Sequence, residues 1–347
     1  PMEKYLPIIY VRGYAGSQGA VESTVDKPYY GFNLGSTQVR TGPDGDPDFF
    51  IFESPLVRLI RDHGYTDLFA RIDRDGAVEL LNGEDVLYET GKFPTRSLWI
   101  YRYYDRTSER AGDGTRDVIE TLGENLGRLL EYVLEQTRAP RVHLVAHSMG
   151  GLICRSLIQR VLKQQAAEKI DRVFTYATPH RGIHFRRGLG FLTRVRDLLG
   201  LNDADTFGPA RMREFLDFPA DWDPTRLNEM GGHFPVDRVF SLIGTNHTDY
   251  NLARLAVGPG SDGLVQMDHA YVKGSSRAFV YRSHSGPLGI VNSEEGYQNL
   301  QRFLFGDTSV CIDLENVRLK DSLRSDNDLR FLLIETTVLI RGEQIVM

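Results

Sequence analysis

Two cysteines in 347 residues, Cys154 and Cys311, are too few and too far apart to build a disulfide framework. The chain has no basic excess. Its 41 Lys and Arg stand against 47 Asp and Glu, a formal net charge of −6, so nothing draws it generally to nucleic acid or anionic membrane. No apolar run approaches the ~18 residues of a membrane span. The first residues, Pro1-Met2-Glu3-Lys4-Tyr5, do not read as a signal peptide. The cytoplasm is therefore the default expectation, and Pro1 ahead of Met2 leaves room for a processed or engineered end. Zinc spacings of Cys and His are missing, as are internal repeats and low-complexity tracts. What is present is a globular composition, 41% hydrophobic and 25% charged. The length suits one large domain with an insertion.

Short apolar runs alternate with helical patterns along the chain. The runs lie at 5–11 (Y-L-P-I-I-Y-V), 97–103, 141–146, 172–176, 237–243 and 277–281. Each is apolar on both faces and bounded by turn residues, as strands of a doubly covered parallel sheet should be. Helical spacing marks 54–62, 115–136, 149–162 and 294–304, with Val118, Leu122, Leu126, Leu129, Leu130 and Val133 on one stripe. Strands separated by helices imply βαβ crossovers and a doubly wound, mostly parallel α/β sheet. Cys154 falls in a helix directly after the third run, where it reads as a small core residue. Three stretches break the alternation. Residues 17–50 read as a long Gly- and Pro-containing loop over the carboxyl ends of the strands. Residues 181–236 read as an insertion with two or three short helices. Residues 306–347 read as a β-rich extension, which either continues into a second domain or pairs at a sheet edge.

One segment concentrates chemistry. The strand 142–146 runs straight into His147-Ser148-Met149-Gly150-Gly151, where a helix begins at once. A strand-to-helix turn this sharp strains the backbone of Ser148 and exposes its hydroxyl. Crowding there requires small residues two before and two after, and Ala146 and Gly150 supply them. The helix N-terminus adds partial positive charge beneath the nucleophile.

A-H-S-M-G-G resembles the nucleophile elbow of lipases and esterases in the α/β-hydrolase superfamily, with Ala146 in place of the usual first glycine. Thr178-Pro179-His180-Arg181-Gly182 resembles the T-P-H-x-G turn of lipases. Gly260-Ser261-Asp262-Gly263-Leu264-Val265 resembles their D-G-x-V acid turn. The resemblance spans roughly residues 5–305. It implies a Ser-Asp-His triad in that chain order, with Ser148 as nucleophile, Asp262 as acid and His284 as base. Asp249 and Asp268 are the rival acids. His247 and His269 are weaker bases, since both precede the last strand. Arg12-Gly13-Tyr14-Ala15-Gly16 looks like the H-G-x-x-G loop of lipases with arginine in the histidine place. By that pattern the backbone N–H groups of Tyr14 and Met149 form the oxyanion hole.

In this superfamily an insertion at 181–236 forms a cap or lid. Leu189, Phe191, Leu192, Val195, Leu198 and Leu199 interleave with Arg186, Arg187, Arg194 and Arg196. That pattern suits an amphipathic lid touching acyl chains or, transiently, a lipid surface, and equally a cap helix packed on the core. Leu189, Phe191 and Leu192 are the expected substrate-binding residues. Some bacterial lipases carry a calcium-binding carboxylate after the catalytic histidine; residues 285–293 contain no acid, and neither metal nor cofactor is expected. The implied activity is cleavage of carboxylic esters in acylated or lipid-like substrates through an acyl-enzyme. Acyl transfer or lipid and glycolipid deacylation by the same triad, and a non-catalytic binding module, are the alternatives.

Overall fold

A computed structural model describes residues 5–41, 45–73, 76–81, 93–183, 207–250 and 257–307, without the side chains of residues 40 and 48. The chain divides into two units after Asp307. The expected β-rich extension from residue 308 onward lies outside the described residues, as do Leu189, Phe191 and Leu192.

The strands are β1 (Ile8–Val11), β2 (Ser36–Thr41), β3 (Pro47–Phe52), β4 (Thr66–Ile72), β5 (Val78–Leu80), β6 (Ser97–Tyr101), β7 (Val142–His147), β8 (Ile170–Tyr176), β9 (Val239–Gly244) and β10 (Ser276–Val280). Eight of them form one sheet in the order β5-β4-β6-β1-β7-β8-β9-β10. Every neighbouring pair in it is parallel except β4 with β5. All residues of β1 and β6 are buried, so the sheet centre is covered on both faces. The helices are α1 (Gln18–Val25), α2 (Pro55–His63), α3 (Tyr104–Thr107), α4 (Ile119–Thr137), α5 (Met149–Ser156), α6 (Ala166–Lys169), α7 (Pro209–Phe215) and α8 (Glu294–Phe305). This is the doubly wound α/β-hydrolase architecture.

Local sequence explains the helix ends. Ser54 caps α2 by accepting from Val57 N, Pro55 opens the first turn, and Gly64 closes it with a left-handed φ of 68°. Ser293 caps α8 through Gly296 N. The buried stripe of α4 packs on β6, where Trp99 meets Tyr132 edge-on and Tyr101 donates to the Leu122 carbonyl. Phe174 and Tyr176 of β8 turn toward Phe303 and Gly296 of α8. Gly123 and Gly127 let α4 lie close on Ser156 and Leu157. There the expected single helix over 149–162 changes at Leu157 into a π-helical turn.

The reading of 17–50 as loop is corrected by α1 and by the antiparallel β2–β3 ribbon. Neither carries a core pattern that periodicity could detect. Among its buried residues α1 counts only Val21 and Thr24, and the ribbon pairs outside the main sheet with Val39, Phe49 and Ile51 exposed. Strands β4 and β5 were also unforeseen. At the other edge, Phe279 of β10 is 50% exposed, because an edge strand has a neighbour on one side alone.

Candidate active site

β7 delivers His147 to the edge of a cavity and α5 begins at Met149. Between them Ser148 takes φ 53°, ψ −125°, a left-handed φ that costs a non-glycine residue of order 1–3 kcal/mol. Such strain survives when the surroundings over-determine it. Ser148 N donates to the Tyr176 carbonyl at 2.9 Å. A methyl group on Gly150 would lie 2.2 Å from the Val11 carbonyl oxygen, so glycine there lets the elbow sit against β1.

The structure brings Ser148, His284 and Asp262 into one hydrogen-bonded line. Ser148 Oγ donates to His284 Nε2 at 2.9 Å, and His284 Nδ1–H donates to Asp262 Oδ2 at 2.8 Å. All three are buried. The carboxylate is itself oriented, since Asp262 Oδ1 accepts from the backbone N–H of Val265 at 2.7 Å and of Leu264 at 3.0 Å. The acid and histidine loops are also tied directly, His284 N donating to the Asp262 carbonyl. Asp262 lies against the end of β9, where a methyl on Gly244 would come within 2.8 Å of its Cβ.

The rival residues stand elsewhere. Asp249 pairs with the Asn246 amide. Asp268 is 63% exposed at the side chain and faces Arg181. His269 donates to the Gly182 carbonyl and accepts from Arg181.

Opposite the elbow, residues 12–16 follow β1. A methyl on Gly13 would come within 2.8 Å of Ser148 Cβ and 3.1 Å of the His147 carbonyl, so the Gly13-Tyr14 backbone passes directly beside the nucleophile. Met149 opens α5, where a backbone N–H has no intrahelical acceptor.

A cavity of about 540 Å³ joins these parts. Ser148 and His284 line it with Gly13 and Tyr14, and Phe32, Leu34, Ile183, Phe207, Leu264 and Val291 give it apolar walls. Ile183 and Phe207 border residues 184–206, the part of the expected lid that lies outside the described residues.

Two supporting residues went unnoticed in the sequence. His147, beside the serine, donates from Nε2 to the His284 carbonyl at 2.9 Å. Desolvation, with the neighbouring His284, pushes its pKa down to about 3, which keeps it neutral. Arg155 on α5 is buried without a carboxylate partner among the described residues. It donates instead to the carbonyls of His180, Leu227 and Glu229 and to Gln159 Oε1. Burial alone lowers its pKa to about 9. The motif A-H-S-M-G-G contained the first signal. Nothing short of the fold contained the second.

Among the described residues no His, Cys, Asp and Glu group could hold a metal ion, and no helix is long and apolar enough to cross a membrane.

Fold and geometry together define a hydrolase-type α/β protein with an oriented serine. Residues 82–205, which include the elbow, match the family model described as "Putative serine esterase (DUF676)". No curated protein matches the chain. Among solved structures the chain is similar to the lin2722 gene product of Listeria innocua, at 10% identity over 88% of this chain and 96% of that one, with TM-score 0.48. It is similar to the lipase BlEst2 of Bacillus licheniformis in mature form, at 16% identity over 88% and 95%, with TM-score 0.43. It is also similar to the phospholipase PlaB of Legionella pneumophila, at 13% identity over 86% of this chain and 60% of that one, with TM-score 0.47.

Proposed function

We propose that this chain is a serine hydrolase that cleaves carboxylic esters of acylated or lipid-like substrates through an acyl-enzyme. The observation that carries this reading is the unbroken line Asp262–His284–Ser148 opening on an apolar-walled cavity. Ser148 Oγ attacks the ester carbonyl while His284 Nε2 takes its proton. Asp262 holds Nδ1–H, which fixes the tautomer and stabilises the imidazolium. The tetrahedral oxyanion accepts the backbone N–H groups of Tyr14 and Met149. Collapse breaks the bond to the alcohol, which leaves with the proton from His284. Water then gives a proton to His284 and attacks the acyl carbonyl; the bond to Ser148 Oγ breaks, Oγ takes that proton back from His284, and the acid leaves. The cavity walls suit an acyl chain, and residues 181–236, entering at Ile183 and Phe207, serve as lid.

The test is covalent. A fluorophosphonate should label Ser148, with the adduct found by peptide mass mapping and absent in Ser148→Ala. p-Nitrophenyl esters of increasing chain length should then be cleaved by the unmodified chain and not by Ser148→Ala. An adduct elsewhere, or equal labelling of Ser148→Ala, ends this reading.

A further inference from the structure

The turn after β1 contains the donor that the proposed mechanism needs, and it is gripped from a distance. β6 lies next to β1 in the sheet, so its carboxyl end brings Tyr103 and Tyr104 beside residues 12–15. Both tyrosines are buried. Tyr103 Oη donates to the Arg12 carbonyl at 2.8 Å and lies 3.0 Å from the Gly13 carbonyl. Tyr104 Oη lies 3.3 Å from the same Gly13 carbonyl and accepts from Ala15 N at 2.7 Å. Arg116 donates to the Ala15 carbonyl at 3.0 Å. Three backbone groups that flank Tyr14 N–H therefore point at the tyrosine pair: two carbonyls before it and one N–H after it.

Peptide geometry supplies the rest. The Gly13–Tyr14 bond is trans, and in a trans peptide the C=O and N–H point in opposite directions. Holding the Gly13 carbonyl toward Tyr103 and Tyr104 holds the Tyr14 N–H away from them. A methyl on Gly13 would come within 2.8 Å of Ser148 Cβ, so the backbone here packs closely on the nucleophile. A turn with glycine at position 13 has an alternative rotation, in which the carbonyl would face the nucleophile and oppose an oxyanion. The tyrosine hydroxyls bond only the first arrangement.

We infer that Tyr103 and Tyr104 are positioning residues that lock the Gly13–Tyr14 peptide in the orientation presenting the Tyr14 N–H to a developing oxyanion. This rests on the serine hydrolase reading above and adds what keeps one half of the oxyanion hole formed before substrate arrives. Burial raises both phenol pKa values, so both hydroxyls stay protonated at working pH. A preformed donor needs no reorganisation at the moment of reaction, and losing one such donor typically costs about 10²–10³ in turnover.

The experiment uses Tyr103→Phe, Tyr104→Phe and the double variant in the full chain, with thermal melting to establish that each is folded. Ester hydrolysis gives kcat and KM separately. An alkyl trifluoromethyl ketone, which forms a tetrahedral oxyanion on the serine, gives a second reading. Each single variant should lose about 10-fold in kcat, and the double variant about 10²-fold, with KM within about threefold of the parent. Affinity for the trifluoromethyl ketone should fall by the same factors. A folded double variant with unchanged kcat overturns the inference, as does one in which KM rises and ketone affinity holds. If the double variant does not fold, the folded singles decide by the same split. A parent chain that neither cleaves esters nor is labelled at Ser148 overturns the hydrolase reading, and this one with it. An active parent with unaffected variants overturns this one alone.

Discussion

The two walls of the cavity are fixed in different ways. On one wall, Asp262 is held by the backbone of Leu264 and Val265, and Ser148 by the turn between β7 and α5. The grip on Asp262 lies within three residues and is built by turn chemistry; the serine turn adds a bond from its N–H to the Tyr176 carbonyl on the neighbouring strand. On the other wall, residues 12–15 are held by Tyr103, Tyr104 and Arg116, 89 or more residues further along the chain. The first wall follows from short motifs. The second needs β6 to be packed against β1 before it has any shape.

Breaking the first wall should therefore stop chemistry while leaving the fold intact. Asp262→Asn keeps an oxygen for the Leu264 and Val265 N–H groups but no longer accepts properly from His284. Turnover on a p-nitrophenyl ester should fall by about 10⁴-fold by analogy with the same change in the serine-protease triad. The thermal midpoint should move little. Full activity in Asp262→Asn, with loss in Asp249→Asn or Asp268→Asn, would move the acid elsewhere.

Arg155 is the exception on that wall, a remote tie from the helix behind the nucleophile to the turn at His180 and to residues 227–229. Arg155→Met removes a charge that no carboxylate neutralises among the described residues, yet strips the donors from three carbonyls. Each buried carbonyl left unpaired costs about 1–3 kcal/mol. The net loss in denaturant unfolding should be about 3 kcal/mol, with kcat of the remaining folded enzyme within a few-fold of normal. A stable Arg155→Met protein would mean that water or relaxed backbone takes over the carbonyls.

Gly13→Ala probes the seam where the walls touch. Its methyl would meet Ser148 Cβ at 2.8 Å, and either the turn or the serine must move. Displacement of about 1 Å at a reacting group can cost 10²-fold. We expect about that loss in kcat. Activity equal to the parent would show that the two backbones separate at little cost.

The same contrast explains what the sequence revealed. The strands β1, β6, β7, β8 and β9 were readable because burial writes an apolar run, β10 from the short run at 277–281 although only Val280 of its five residues is buried, and the elbow because its sterics demand small residues around Ser148. α1, the β2–β3 ribbon and β4–β5 were missed. α1 buries little, the ribbon leaves Val39, Phe49 and Ile51 in solvent, and β4 has only Leu68 and Ala70 buried in alternation. The grip of Tyr103 and Tyr104 on residues 12–15 could not be read at all. Tyr-Tyr after a strand is ordinary, and its meaning depends on which strand lies beside it. Leu189, Phe191 and Leu192 remain a proposal, outside the described residues.

The smallest effect at neutral pH should come from His143, which lies in β7, the strand that leads into the nucleophile, but takes no part in the site. It is 1% exposed, neither ring nitrogen has a hydrogen-bond partner among the described residues, and Asp171 lies 3.7 Å away. Desolvation is the main cause that lowers its pKa from 6.5 to about 4. Asp171 works against it, and Arg172, Arg141 and Arg238 work with it. The unfolded chain therefore takes up a proton first as pH falls. Stability is fully present above about pH 6.5 and is lost between there and about pH 4, by up to roughly 3 kcal/mol for a gap of this size. His143→Leu removes both the proton site and two unpaired nitrogens, so it should change stability by less than about 1 kcal/mol at pH 7. It should also flatten the acid limb. Denaturant midpoints measured from pH 7 to pH 4 would decide, and an unchanged slope in His143→Leu would assign that limb to other groups.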